Sequence, residues 1–203
     1  MPASACHCRE AARRPAAEPD ASREEAERKR GTRLPAGALF RGAGTRIGVV
    51  LQDRATDPRA RRTLAKFYLA RRRRINNWDL VDSSAPHILG HHLLGADRTV
   101  LHRLARSNTL WDRRIAIIAT AAFIREGEYR DTLRIAATLL RDTHDLIHKA
   151  VGWMLREVGN RSPATGERFL RRYAPTMPRT MLRYAIEKFP PAKRKLYLGM
   201  RVR

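Results

Sequence analysis

The sequence NNWDLVDSSAPHILG, residues 76–90, decides the fold and contains the most informative pair of side chains. Asn76 or Asn77 is suited to cap a helix, because a short side-chain oxygen accepts a backbone N–H that the first turn leaves unpaired. In the helix that follows, Trp78 and Asp82 are four residues apart and lie on the same face. An indole favours burial, whereas a carboxylate resists it unless a cation meets it. The pair therefore has no packing explanation and points to a function.

Helical patterns continue on both sides of this stretch. Asp57-Pro58 is typical of a helix cap followed by a first-turn proline, and Pro86 predicts either a kink or the start of a new helix. No segment alternates between apolar and polar residues over the length of a strand. The sequence therefore predicts an all-α protein. The predicted helices span residues 58–74, 78–94, 98–105, 110–125, 129–140, 142–158, 162–173, 178–189 and 191–200.

The predicted helices also repeat. Three stretches place a cation beside an apolar run on the second helix of a pair: RRIAI at 113–117, HKAVG at 148–152 and LRYAI at 182–186. Intervals in the thirties with two helices per unit are typical of an α-solenoid. Equivalent helices of a solenoid line one concave surface. We therefore expect Arg114, Lys149 and Arg183 to form a row on a basic concave surface.

Charge is the strongest signal in the composition. The chain of 203 residues has 42 Lys and Arg against 20 Asp and Glu, a formal net charge of +22. Because self-repulsion opposes compaction, this excess predicts a polyanionic partner, with duplex nucleic acid favoured over an anionic membrane surface. No apolar run approaches the roughly 20 residues that span a bilayer, and the N-terminus lacks the apolar core of a signal peptide. We expect a cytoplasmic protein.

The chain divides into two parts by composition. Residues 1–45 are rich in Ala, Arg, Glu, Pro and Gly and poor in large apolar residues, which predicts a disordered basic tail. Residues 46–203 have the length and apolar content of one helical domain.

Two groups of potential metal ligands are incomplete. Cys6-His7-Cys8 lacks further ligands at zinc-site spacing, so an accidental cluster is favoured. His87 and His91 are four residues apart, the spacing of a metal pair on a helix, but no third ligand follows at a fitting distance. The sequence predicts no metal site.

Each tryptophan has a charged residue on its own predicted face: Trp78 with Asp82, Trp111 with Arg114, and Trp153 with Arg156. Taken singly, tryptophans in helical repeats are more often core residues, and arginines more often lie on a solvated face. Three such pairs in a chain this basic favour a functional set. For Trp153, which lies in an apolar run, a core position is the alternative.

Two other charged features have competing interpretations. The run Arg71–Arg74 is equally consistent with a phosphate contact and with a solvated charge cluster. Asp112 points about 100° away from Trp111 on a helix, so we expect it on the surface near the helix N-terminus, where its charge suits the dipole.

Three stretches carry a resemblance to a known family: NWDLVDS at 77–83, SNTLWDRRIA at 107–116 and KAVGWMLRE at 149–157. On these motifs, residues 61–200 resemble the DNA alkylation repair family, DNA glycosylases built of HEAT-like helical repeats. The resemblance implies that Asp82 is the catalytic carboxylate and that Trp78 and Trp153 wall the damaged nucleotide. It also implies that Arg114 grips the DNA backbone. Further DNA-contacting positions are expected at Trp111, Lys149 and Arg156.

The implied activity is hydrolysis of the N-glycosidic bond of cationic alkylated purines, such as 3-methyladenine and 7-methylguanine, in duplex DNA by a monomer without metal or cofactor. The family has further helical repeats before the Trp78 motif, whereas this chain is short there. A non-catalytic helical-repeat module that binds nucleic acid or protein is the alternative. Asp82 argues against it, because a carboxylate in a positive channel repels phosphate.

Overall fold

The computed structural model describes residues 57–200, and this part of the chain contains helices and turns but no strand. The all-α prediction is thereby confirmed for these residues. The predicted tail, residues 1–45, and Cys6-His7-Cys8 lie outside them. The helices are α1 (Pro58–Arg71), α2 (Trp78–Ala85), α3 (His91–Leu93), α4 (Thr99–Leu104), α5 (Leu110–Ala119), α6 (Ala121–Arg125), α7 (Arg130–Thr138), α8 (Asp145–Arg161), α9 (Pro163–Tyr173), α10 (Arg179–Ala185) and α11 (Pro191–Gly199).

The first two helices begin where the sequence predicted. The Asp57 carboxylate accepts hydrogen bonds from the backbone N–H groups of Arg59 and Ala60, at 3.0 and 3.3 Å. Asn77 Oδ1 accepts from the backbone N–H of Asp79 at 3.0 Å. Both caps pair donors that the first turn leaves free, which confirms these two helix starts.

Pro86 is the first residue of a new helical segment, one of the two predicted outcomes, but this segment is π-helical rather than α-helical. Beyond α2 the backbone widens into a π-helical segment, Pro86–Gly90, which leads directly into α3. Proline lacks the N–H of a regular helical bond, and the wider turn accommodates this loss. Gly90 lies so close to α5 that a Cβ would be 2.2 Å from the Ala119 carbonyl oxygen. The backbone of this π-helical segment therefore packs directly against the backbone of α5.

The predicted boundaries of α8 were wrong at both ends. The helix begins at Asp145, after His144, whose Nδ1 accepts from the backbone N–H of Leu146 at 3.2 Å. It runs past Gly159, which was expected to end it, to Arg161. A Cβ on Gly166 of α9 would be 2.8 Å from the Gly159 Cα. The close crossing of α8 and α9 thus requires glycine at position 166, and Gly159 lies inside α8 rather than at its end.

Four helices pack in sequence: α2 against α5, α5 against α8, and α8 most extensively against α10. Their starts recur at intervals of roughly 32 to 35 residues. Of the intervening helices, α4 packs on α5 and α9 packs on α8. Fully buried side chains fill the interior, among them Phe123, Ile115, Ile117, Ile118, Ile147 and Met154. Within residues 57–200, no helix has the length and apolar character needed to cross a bilayer.

We predict that Gly152→Ala destabilises the protein. A Cβ at Gly152 would be 2.5 Å from both the Met181 carbonyl oxygen and the Tyr184 Cβ, so α8 and α10 would have to separate. The expected loss in the free energy of unfolding is about 1–3 kcal/mol, measured by urea denaturation. Gly159→Ala on the same helix is the control. Its Cβ would meet nothing within 4 Å, so helix propensity should raise stability by up to about 1 kcal/mol. Equal effects would contradict the close packing.

Candidate active site

The centre of the candidate site is an ion pair between α2 and α5. Arg114 Nε donates to Asp82 Oδ1 at 2.9 Å, and Arg114 Nη2 donates to Asp82 Oδ2 at 2.7 Å. Only 6% of the Arg114 side chain and 16% of the Asp82 side chain are exposed. Such a two-bond pair fixes the carboxylate in both position and orientation. Each carboxylate oxygen keeps a second acceptor site for water or substrate.

Arg114 also reaches a third helix. Its Nη1 donates to the backbone carbonyl of Leu146, in the first turn of α8. The sequence analysis expected Arg114 to grip DNA. The structure shows a buried guanidinium whose Nε, Nη1 and Nη2 all donate within the protein, so its observed contacts hold Asp82. The Leu146 carbonyl was missed, because a backbone acceptor leaves no signal in the sequence.

A buried tyrosine is hydrogen-bonded to Ser84, two residues after Asp82 on α2. Tyr68 of α1 is 1% exposed, and its hydroxyl is 3.1 Å from Ser84 Oγ. Burial raises the pKa of Tyr68 well above its usual value; the bond with Ser84 opposes this rise, and the charge of Asp82 adds to it. The charge of Asp82 is thus felt by the buried phenol of Tyr68, while its carboxylate is paired with the Arg114 guanidinium.

The three tryptophans occupy different environments. Trp78, one turn before Asp82, is 53% exposed. Trp111 and Trp153 are half-buried. Trp153 Nε1 donates to Glu157 Oε1 at 3.2 Å, a contact that the i,i+4 spacing would have revealed. Trp153 is therefore not a fully buried core residue, and Trp78 is an exposed aromatic beside a fixed carboxylate.

Neither expected tryptophan–arginine pair forms a stacking contact. The cation–π contacts within residues 57–200 involve other rings, such as Arg98 over Phe123 at 4.1 Å. Arg114 turns toward Asp82, and Arg156 lies between Glu157, at 3.4 Å, and Glu187. Both guanidiniums contact carboxylates instead, because a carboxylate attracts a cation more strongly than an aromatic face does.

The three cations expected in a row on a concave surface differ in exposure. Arg114 is buried, Lys149 is half-buried and Arg183 is exposed. Lys149 Nζ lies 2.7 Å from Asp145 Oδ2, and this contact raises the pKa of Lys149. The repeat spacing placed these residues on equivalent helices, but Arg114 has partners on two other helices and Lys149 has one on the preceding turn, so their exposure differs.

The expectation that Asp112 is a surface residue was wrong. Asp112 is only 6% exposed and accepts from Arg72 Nε at 3.0 Å and from Ser107 Oγ at 2.9 Å. One member of the Arg71–Arg74 run is therefore a structural partner of α5. Within residues 57–200, Arg73 and Arg74 are exposed and form no ion pair.

In the part of the chain that the structure describes, no three His, Cys, Asp or Glu side chains are grouped to hold a metal ion. His91 Nε2 lies 3.1 Å from Arg61 Nη1. A guanidinium at this distance occupies the lone pair that a metal ion would need.

We predict strong energetic coupling between Asp82 and Arg114. Arg114→Met should lower the free energy of unfolding by about 3 kcal/mol, because it leaves Asp82 uncompensated in a partly buried position. The double variant with Asp82→Asn should lose less than the two single losses together, by about 1 kcal/mol or more. A second double-mutant cycle combines Arg114→Met with Asp79→Asn, which removes an exposed carboxylate from the same helix as Asp82. The losses in this cycle should be additive. Additivity in both cycles, measured by urea denaturation, would contradict the pair.

A protein-family model described as DNA alkylation repair enzyme matches residues 45–189, which contain Asp82, Arg114 and all three tryptophans. No curated protein matches the chain. The family match covers well over half of the chain and agrees with the resemblance carried by the three motifs. The chain therefore belongs to the DNA alkylation repair enzyme family.

Proposed function

We propose that the protein is a DNA glycosylase that hydrolyses the N-glycosidic bond of cationic alkylated purines in duplex DNA. One observation carries the proposal: Trp78 is more than half exposed one helical turn from Asp82, whose carboxylate is fixed by Arg114. An exposed indole beside an anion contributes little to folding. It suits a cationic, planar ligand, because the ring face and the carboxylate both attract positive charge.

The proposed chemistry uses the carboxylate as a fixed charge. A purine alkylated at N3 or N7 is cationic and already a good leaving group. As its bond to the sugar breaks, positive charge develops on the deoxyribose, so Asp82 stabilises the transition state more than the ground state. The free acceptor sites on its oxygens are suited to orient the attacking water. Such a reaction requires neither a metal nor an organic cofactor.

The other site residues have supporting roles in this proposal. Trp78 and Trp153 wall the damaged nucleotide, and Arg114 positions Asp82 rather than contacting phosphate. Lys149, half-buried beside Asp145, is the candidate phosphate contact on α8.

We propose that α2, α5, α8 and α10 line the concave face of a HEAT-like solenoid and that a monomer binds the duplex there. Trp111 and Arg156 are assigned to the edges of this surface.

A non-catalytic module that binds nucleic acid or protein is the second candidate. It is favoured by the ion pair itself, because Asp82 and Arg114 satisfy each other as a purely structural pair does. The two candidates differ in what Asp82 is for. In a binding module its charge stabilises only the fold, whereas in a glycosylase it also acts on the sugar.

We predict that Asp82→Asn lowers the rate of base release from methylated duplex DNA by about 100-fold or more, the usual cost of removing a transition-state contact. Affinity for the duplex should stay equal or rise slightly, because the change removes an anion that repels phosphate. Single-turnover release of free base and fluorescence anisotropy measure the two effects. A thermal melt checks that the variant is folded.

Asp79→Asn is the matched control, since it makes the same chemical change three residues earlier on the exposed side of α2. It should release base within about twofold of the wild-type rate, as surface substitutions usually do little. Wild-type rates in folded Asp82→Asn would contradict the proposed role of this carboxylate.

A further inference from the structure

A second charged cleft lies away from Asp82, between α1 and the segment from Leu89 to Val100. Its volume is about 660 Å³. Apolar side chains form its floor, including Leu69, Leu89, Leu93 and Val100. Basic side chains and one acid surround the opening: Arg61, Arg62 and Lys66 from α1, His91 and His92 from α3, and Asp97 from the following turn.

The positive charge of this cleft has little compensation. Within residues 57–200, none of Arg61, Arg62 and Lys66 forms an ion pair with a carboxylate. Arg61 instead points Nη1 at His91 Nε2, 3.1 Å away. The one acid, Asp97, accepts from the Thr99 hydroxyl at 2.7 Å and the Thr99 backbone N–H at 3.0 Å. Its Oδ1 atom is therefore already hydrogen-bonded within its own turn.

The pKa of His92 reports the positive potential of the cleft. Burial lowers the pKa of His92, and the charges of Arg62 and Arg61 lower it further. His91 accepts the hydrogen bond from Arg61 only when its Nε2 is unprotonated. The His92 imidazole thus lies where a further positive charge is disfavoured and an anion is favoured.

We propose that this cleft binds the phosphate group of a nucleotide or of a nucleic-acid strand. Arginine matches phosphate geometry with two parallel hydrogen bonds, and Arg61 and Arg62 are adjacent at the opening. The leucine floor accommodates the organic part of the ligand. The cleft contains no residue of the Asp82 site, so this inference stands independently of the proposed glycosylase activity.

Arg62→Ala tests the cleft, because Arg62 is exposed and lines the opening without a structural partner in residues 57–200. Calorimetric titration with inorganic phosphate and with deoxyadenosine monophosphate should show affinity about tenfold weaker than wild type, the effect of one lost charge-assisted hydrogen bond. Arg59→Ala is the control. It removes the same charge from an exposed position on the same helix that does not line the cleft, and affinity should change by no more than about twofold.

Titration with unmodified duplex DNA distinguishes the two phosphate sources. If the ligand is a strand, Arg62→Ala should weaken duplex binding and make the salt dependence shallower by about 1, with no change for Arg59→Ala. If it is a free nucleotide, the phosphate and monophosphate titrations should depend on Arg62 and the duplex titration should not. Equal losses in both variants, or no loss in either titration, would overturn the proposal.

The pKa of His92 provides a second readout, because it responds to an anion bound in this cleft. In NMR titrations, saturating sulfate, whose charge is constant between pH 5 and 8, should raise the pKa of His92 more than chloride at the same ionic strength does, because the bound anion offsets Arg61 and Arg62. The Arg62→Ala variant should show a smaller rise. A His92 pKa unchanged by the anion would overturn the proposal. Neither measurement needs base release, so failure of the glycosylase proposal would leave these results interpretable.

Discussion

The Arg114 guanidinium joins three helices, donating to both carboxylate oxygens of Asp82 on α2 and to the Leu146 carbonyl on α8. A charge this deeply buried is costly unless its donors are paired, and here each nitrogen of the group has an acceptor. The relative positions of α2, α5 and α8 therefore depend on this one side chain. Displacing any of these helices would leave at least one donor of the buried Arg114 guanidinium without an acceptor.

The pairing of Arg114 with Asp82 also determines the charge and rigidity of the candidate site. Asp82 needs a cation to be partly buried, and Arg114 supplies it from within the protein. The carboxylate is thereby fixed before any ligand arrives, which is the arrangement that electrostatic catalysis requires. Trp78 is left exposed one turn away. A fixed anion and an exposed aromatic side chain are the two features on which the proposed binding of a cationic base rests.

Features set by neighbours in sequence were predictable, and features set by packing were not. The caps at Asp57 and Asn77 and the shared face of Trp78 and Asp82 follow from spacing within one helix. The contact between Asp82 and Arg114 joins residues 32 positions apart, and its geometry depends on how two helices cross. The burial of Asp112 against Arg72, 40 positions away, was missed for the same reason.

The central claim is that the site acts on positively charged bases through a fixed carboxylate. The most direct measurement compares base release from two duplexes, one carrying 7-methylguanine, which is cationic, and one carrying O6-methylguanine, which is neutral. The account predicts release of free 7-methylguanine with no detectable release of O6-methylguanine. Release of both bases at similar rates would contradict selection by charge, and release of neither would contradict the catalytic role of the site.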